Sequence, residues 1–575
     1  MSLMGNERKD LKILYVLVTL GLSAILLYPL GCVLMQSFAT QGEEAGLFHN
    51  YTALLNQERF WVALGHSFTV SGLSALISAS LAFLCAYGLH FTLIDKRIKK
   101  IFQIIVLLPL FLPSITYGFA VIYSFGRLGL VSQLIAPPPF SIYGFWGLLF
   151  ADVIYTLPAA FLILHNAFYY VDRNFTIVSR LMGDSPLRTF YMTAFRPVAG
   201  ALISAFILSF FLAFTDFGIP VSIAGEYSVI ATELYMTMMG AIPNFGEGAV
   251  IAMAMLVPSI VSVVLLRYAE RFNFRYNKLS KGDVSANPLR DRLFMGYYGL
   301  IALALLSVFV VMFVVPFVKQ WPYQPYFTLD VVKRILSDDA VWQVYTHSVA
   351  VALASAFVGC VVCFVAGLIK ARSNLSGWCQ TTMDIFAMIA NTVPGMVLGI
   401  GFLFAMSGTW LANTFLILIL ANLVHFFTTP YMMATSAFSK MNAGWETTGA
   451  LMGDSWIKTV WRVIIPNSWS TILHMFQYFF VSAMVTISAV VFLTGARTML
   501  LTTKIKELQY FEKFEEIFVL SLLIFFTNVF AKCLFDYLAE QAEKPNNTFF
   551  QSLTRTLNQL ISKLWGRRAT SQSLS

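Results

Sequence analysis

The chain has 575 residues, of which 58% are hydrophobic and only 12% charged, with a mean hydropathy of +0.73. Soluble domains carry about 45–50% apolar residues, so composition excludes a soluble globular protein and places the chain in a membrane. The net charge of +9 comes from bases dispersed over polar stretches, which marks them as residues that set membrane orientation and implies no nucleic acid partner.

A membrane-spanning helix needs about 20 mostly apolar residues. Taking polar residues, Pro and Gly as boundaries, about twelve such stretches follow in chain order. In the first half they fall at 12–37, 61–92, 101–125, 143–169, 199–223 and 247–267. In the second half they fall at 294–318, 342–370, 380–406, 410–437, 468–494 and 516–537. The expected fold is all-α and membrane-integral. The first apolar run is too long for a signal peptide and lacks a small-x-small cleavage site, so an uncleaved first helix is expected.

Basic loops stay on the cytoplasmic side. Asp95 to Lys100 (DKRIKK) and the stretch Arg267 to Arg292 mark the inside, whereas Ala39 to Phe60, Lys319 to Val341 and Gly495 to Glu515 are acidic or balanced and suit the outside. An even number of spans then leaves both termini cytoplasmic, in a bacterial cytoplasmic (inner) membrane.

Self-comparison shows a duplication. HSFTVSGLSALISASLAFLCAYGL from His66 matches HSVAVALASAFVGCVVCFVAGLI from His347, and Pro113 with Gly118 matches Pro394 with Gly399, all at an offset of 281. Beyond the third span the offset falls to 270, pairing Gly183 with Gly453 and Gly225 with Gly495. Two six-helix repeats in the same orientation are expected, with a pathway along a pseudo-twofold axis between them. The units are a first repeat 1–266, a basic cytoplasmic linker 267–292, a second repeat 293–540 and a cytoplasmic tail 541–575 ending beyond Gly566-Arg567-Arg568.

The pentapeptide LMGDS occurs at both 181–185 and 451–455, each time on the cytoplasmic side and each time before a basic and aromatic run ending near Pro. A central Gly followed by an Asp-Ser pair that can cap a helix implies a short surface helix between two spans.

Inside the spans, Asp216 is the costliest residue, since a charge at the bilayer centre is usually turned toward a bundle interior or water path. It either lines a pathway opposite its repeat partner Thr486, or caps the break before Gly218 and Pro220. Asp216-Phe217-Gly218 has no other element of a kinase. Pro113 and Pro394-Gly395 break or kink their helices and suit a gate. His165, Asp384, His425 and His474 are isolated in their spans without metal-ligand spacing, so packing or hydrogen bonding is expected of them, and Cys360-x-x-Cys363 lies mid-helix without further ligands, so packing is expected of it. No metal site is expected.

The repeated loop resembles the signature of ABC importer permeases: EAA, three residues, Gly, about nine residues, then an apolar residue and Pro. Glu446 leads into Gly453, Asp454 and Ser455, with Val463, Ile465 and Pro466 beyond. The first copy, with Gly183, Asp184, Ser185 and Phe190, has Ile177-Val178-Ser179 in place of EAA, and its Pro197 comes one residue late. The resemblance implies the type I permease fold, with each loop forming a coupling helix that docks on a separate ATPase.

The chain lacks G-x-x-x-x-G-K-[ST] and any Gly-Lys pair, so it has no phosphate-cradling loop. It binds no cofactor itself on this view. ATP and Mg would sit on two copies of a partner ATPase subunit, and an extracytoplasmic substrate-binding protein would deliver the small-molecule substrate through the lipid membrane. The segments Thr215 to Val250, Pro139 to Gly147, VPGMVLGIGF and MVTISAVVFLTG are similar to fused permeases assigned to 2-aminoethylphosphonate import and, more loosely, to ferric iron permeases. A proton-coupled secondary transporter with Asp216 as the proton carrier, or a non-transporting scaffold, are the alternatives from other classes.

Overall fold

The computed structural model describes residues 2–39, 46–134, 138–272, 286–321, 323–373 and 375–544. The expected linker is described only at its two ends, and nearly all of the expected tail, with Gly566, Arg567 and Arg568, lies outside the described residues.

The described chain is helical apart from one small antiparallel ribbon, Val318–Gln320 with Gln324–Phe327. Nine helices among the described residues are long and apolar enough to cross a bilayer, and two bent pairs bring the number to eleven if each is one span. Three expected spans are therefore not straight helices, and in two more, 199–223 and 468–494, the continuous helix ends early, at Thr215 and Val485. The stretch 101–125 divides at Pro113 into Lys96–Leu107, a short 3-10 turn at Leu108–Phe111, and Ser114–Phe125. Its repeat partner divides at Pro394 into Gly377–Thr392 and Gly395–Met406, bent by 104°. Proline lacks the N–H that a continuing helix needs, and both residues hold the same extended conformation, with φ and ψ of −61° and 143° at Pro113 and −58° and 145° at Pro394. The stretch 410–437 bends by 55° between Phe415–His425 and Thr428–Lys440. In 468–494 only Trp469–Val485 is a continuous helix, 17 residues long, somewhat short of the usual span.

The duplication is visible in matched geometry. Glu58–Phe91 and Asp339–Arg372 are both 34 residues long and begin 281 positions apart. Ser67 Oγ accepts from the Ile230 N–H at 2.7 Å, and Ser348 Oγ accepts from the Leu501 N–H at 2.7 Å. These bonds hold two ten-residue helices, Ile230–Met239 and Leu501–Tyr510, against the long spans. The helices lie 271 positions apart rather than 270, because one extra residue separates Gly495 from its helix compared with Gly225.

The first helix of each half packs on the opposite half. From Leu11–Phe38, Tyr15 donates to Thr382 Oγ1 at 3.3 Å, and Pro29 lies so close to Gly401 that an added Cβ there would meet its backbone at 3.1 Å. From Pro288–Val314, the Tyr297 and Tyr298 hydroxyls donate to the carbonyls of Leu81 and Cys85 at 3.0 and 3.2 Å. Small residues let helix backbones approach where lipid offers no hydrophobic drive between helices. Both first helices begin at the end of the molecule that carries the LMGDS loops: Leu14 flanks Trp456, and Phe294 packs on Tyr87 beside Phe190. The two halves therefore run in the same direction.

Candidate functional site

Each residue of the repeated pentapeptide has a local task. Helix Asn174–Leu181 ends at Gly183, whose φ is +80°, and helix Gly444–Leu451 ends at Gly453, whose φ is +79°. Glycine occupies this left-handed conformation without the Cβ penalty, and it closes the helix with a pair of reversed hydrogen bonds. Asp184 N–H donates to Ser179 O at 3.1 Å and Gly183 N–H to Arg180 O at 3.0 Å; Asp454 N–H donates to Gly449 O at 2.9 Å and Gly453 N–H to Ala450 O at 3.1 Å.

The serine then starts the next helix. Ser185 Oγ accepts from Arg188 N–H at 3.3 Å, and Ser455 Oγ from Lys458 N–H at 3.4 Å. The aspartate braces the turn. Asp184 pairs with Arg188 at 3.1 Å and accepts from Ser179 Oγ at 2.7 Å, while Asp454 pairs with Lys458 and, at 3.4 Å, with Arg462. With the polar residues occupied in this way, the apolar ones point outward. Leu181, Met182, Leu451 and Met452 are 82%, 78%, 84% and 79% exposed.

The loops are fixed to the spans by different means. Phe190 packs on Phe83 and Tyr87 at 6.1 and 5.5 Å between ring centroids. Glu446 is held by Arg372, the last residue of Asp339–Arg372, whose Nε donates to Oε1 at 2.6 Å. The same guanidinium donates to Met441 O and Asn442 O, both at 2.9 Å. At the place of Glu446 the first loop has Thr176, whose hydroxyl donates to Thr193 Oγ1 at 3.1 Å. The first loop thus has a threonine where the second has the carboxylate that pairs with a long span. Pro197 lies in the first turn of Arg196–Thr215, and Pro466 opens a 3-10 turn.

The other singled-out residues gather where the spans break. Helices Arg196–Thr215 and Trp469–Val485 end at Asp216 and Thr486 in the same conformation, with ψ of 141° and 138°. Asp216 Oδ2 accepts from Ile219 N–H at 2.8 Å, so it caps the short helix Gly218–Ile223. Of the two roles open to it, the cap is present in the geometry. Phe217 is fully buried against Tyr235, 4.9 Å between ring centroids.

Gly218 and Gly395 play complementary parts. A Cβ on Gly218 would collide with Ser114 Oγ, and one on Gly395 with Ser488 Oγ. Ser114 and Gly395 follow the equivalent prolines Pro113 and Pro394, so each repeat joins its two breaks through one glycine and one serine, with the order exchanged.

Asp152 belongs to this region although nothing in its sequence neighbourhood singled it out beyond being an acid inside the span 143–169. It is 2% exposed, its Oδ1 has no hydrogen-bond partner among the described residues, and it shares a cavity of about 10 Å³ with Asp216, Ser67 and Ser71. Such a volume suits about one water molecule. All residues lining it come from the first repeat.

Three of the isolated polar residues lie against partners on other helices. His165 Nδ1 lies 3.1 Å from His90 Nε2, and Asp384 pairs with Lys370 and accepts from the Tyr431 hydroxyl at 2.7 Å. His474 lies 3.9 Å from Asp536, while His425 Nδ1 has no hydrogen-bond partner among the described residues. Cys360 and Cys363 are buried as free thiols. Among the described residues, no three His, Cys, Asp or Glu side chains are gathered closely enough to hold a metal ion.

Two parallel helical repeats, with paired exposed loops at one end and broken helices meeting between them, define a membrane transport subunit. The chain belongs to the family of binding-protein-dependent transport system inner membrane components, whose pattern matches residues 74–275 and again 363–544. It is an ABC importer permease, an integral membrane subunit rather than an enzyme. Both matched regions leave out Leu11–Phe38 and Pro288–Val314, the two helices that cross to the opposite half.

The chain is similar to the ferric transport system permease protein FbpB of Actinobacillus pleuropneumoniae, with 24% identity over 472 residues, covering 79% of this chain and 67% of that protein. It is also similar to a putative ferric transport system permease protein of Haemophilus influenzae, with 24% identity over 466 residues, covering 77% and 72%. The molybdenum transport system permease protein ModB of Mycobacterium bovis is 24% identical over 225 residues, covering 37% of this chain and 83% of that shorter protein.

Proposed function

We propose that the chain forms the translocation pathway of a binding-protein-dependent importer and that its two LMGDS loops each receive one ATPase subunit. One observation carries this assignment: two loops, 270 residues apart, are built to the same backbone geometry and present the same pair of exposed apolar side chains. Four solvent-facing Leu and Met side chains on otherwise well-bonded turns suit a docking surface, because exposed apolar groups gain by being covered. Met adapts its shape to a partner groove.

On this proposal the loops face the cytoplasm in a bacterial inner membrane, as do both termini, and an extracytoplasmic binding protein delivers cargo to the opposite end. ATP and Mg act on the partner subunits. Their closure moves the loops, and the ion pair between Arg372 and Glu446 passes the movement to a 34-residue span. Rocking of the repeats about their common axis then exposes the pathway alternately to each side.

The proposed cargo is 2-aminoethylphosphonate or a related phosphonate, supported by the likeness of Thr215 to Val250 and the other quoted segments. Ferric iron is the second reading, supported by the two ferric permease relatives that align over more than three quarters of the chain. The test is ATP hydrolysis by the chain reconstituted with its ATPase and binding protein. Stimulation by 2-aminoethylphosphonate supports both parts; stimulation by iron alone keeps the importer and overturns the phosphonate. Failure of any ATPase to associate overturns the docking assignment.

A further inference from the structure

The ten-residue helices Ile230–Met239 and Leu501–Tyr510 correspond residue for residue at an offset of 271. At that offset Tyr235 is the counterpart of Lys506. These two residues touch: the Lys506 ammonium lies 5.4 Å from the centroid of the Tyr235 ring. Equivalent residues of two repeats meet only near the axis that relates them, so this contact marks the axis. Nearby contacts agree, since Gln509 Nε2 donates to Val221 O at 2.6 Å and Tyr235 packs on Phe492 at 6.0 Å, both across the halves.

A cavity of about 260 Å³ opens here, lined by Tyr235, Thr494, Lys506, Glu507 and Tyr510 among others. Its one carboxylate, Glu507, is already paired with Lys504 at 3.1 Å. Lys506 has no carboxylate partner among the described residues; its one charge-related contact is the Tyr235 ring. It is half-buried, and burial holds its ammonium below the usual lysine range. A partly desolvated cation without a counter-charge favours an incoming anion, and the hydroxyls of Thr494 and Tyr510 add hydrogen-bond donors of the kind an oxyanion accepts.

We infer that Lys506 is a cargo-contacting residue on the translocation axis and that the transported species carries an oxyanion. This deepens the importer assignment and rests on it. A phosphonate meets the requirement. A bare Fe³⁺ ion would be repelled by Lys506, so its passage would not depend on that residue.

Two measurements test the inference. In the reconstituted complex, 2-aminoethylphosphonate and ferric iron are supplied separately to the wild type, Lys506→Gln and Lys506→Arg. Lys506→Gln is expected to raise KM for phosphonate uptake at least tenfold while complex assembly stays unchanged, and Lys506→Arg is expected to stay within threefold of wild type. Wild-type phosphonate uptake by Lys506→Gln, or transport of iron alone with no effect of the substitution, overturns the inference.

The second measurement needs no ATPase. In the purified full chain, acylation of Lys506 by an amine-reactive ester is followed by mass spectrometry. Protection of severalfold by inorganic phosphate, but not by chloride at equal ionic strength, is expected. Absence of protection overturns the anion site, whereas loss of ATPase association with protection intact overturns only the docking assignment.

Discussion

Replacing Gly453 separates backbone conformation from bulk. At φ +79° an L-residue other than Gly incurs a cost of about 1–2 kcal/mol in the left-handed region. Apart from Gly453 and its two chain neighbours, no atom of the described residues lies within 4 Å of where a Cβ would stand, so Gly453→Ala brings no collision and the whole cost is conformational. At RT of about 0.6 kcal/mol, that shifts the loop from its reversed-bond geometry by a factor of roughly 5–30, comparable to a sizeable fraction of a domain's stability. Asn is the residue that best tolerates this conformation after Gly, so Gly453→Asn is expected to keep most of the geometry despite its larger side chain. Initial uptake rate and ATPase association in proteoliposomes are the assays, with thermal unfolding of the purified chain as a control. Gly453→Ala should lower coupled uptake several-fold, Gly453→Asn should largely restore it, and neither should change the unfolding temperature of the membrane part by more than a few degrees. If Asn proves as damaging as Ala, or worse, the loop requires room against a partner rather than a left-handed residue, and the conformational reasoning fails. The same pair of changes at Gly183, φ +80° and equally unobstructed, should give the same order.

Other consequences are equally open to measurement. Arg372→Ala leaves Glu446 without its partner at a site where the arginine side chain is only 4% exposed; breaking such a pair costs about 3–5 kcal/mol when buried, so a clear loss of thermal stability and of uptake is expected, whereas Thr176→Val in the first loop should cost under about 1 kcal/mol. Asp216→Asn retains an acceptor for the Ile219 N–H and should leave stability near wild type, while Asp216→Ala should cost about 1 kcal/mol of capping; equal effects on folding would exclude the cap. Ser67→Ala and Ser348→Ala each orphan one buried N–H, of Ile230 or Leu501, and should destabilise by about 1–3 kcal/mol to a similar extent in both repeats. Gly401→Leu should displace the first helix from the second half, read as faster proteolysis within residues 11–38, because its Cβ would press on Pro29.

What sequence alone determined here was either compositional or local. Long apolar runs are a direct consequence of the bilayer's thickness, and an unsatisfied backbone in hydrocarbon allows such runs no structure other than helix. The internal offset of 281 then assigns two repeats whatever their packing. LMGDS is legible for the same reason, since its reversed bonds and serine caps join residues no more than five apart. The breaks at Pro113 and Pro394 are likewise local, because proline removes its own N–H.

The tertiary structure decided everything that depends on which helices meet. Arg372 and Glu446 are 74 positions apart, and Tyr235 and Lys506 lie in different repeats. Nothing in the immediate sequence of Arg372, Tyr235 or Lys506 distinguishes them from ordinary charged or aromatic residues near span ends. The crossing of Leu11–Phe38 onto the second half rests on the close approach of Gly401 to Pro29, one small residue among 35 glycines. Sequence reasoning placed the charge of interest at Asp216, because an acid in an apolar span stands out. The fold has that acid cap a helix and also brings Lys506 against Tyr235 of the other repeat, since a helix end is satisfied by its nearest acceptor, whereas a contact between repeats follows from the packing of both together.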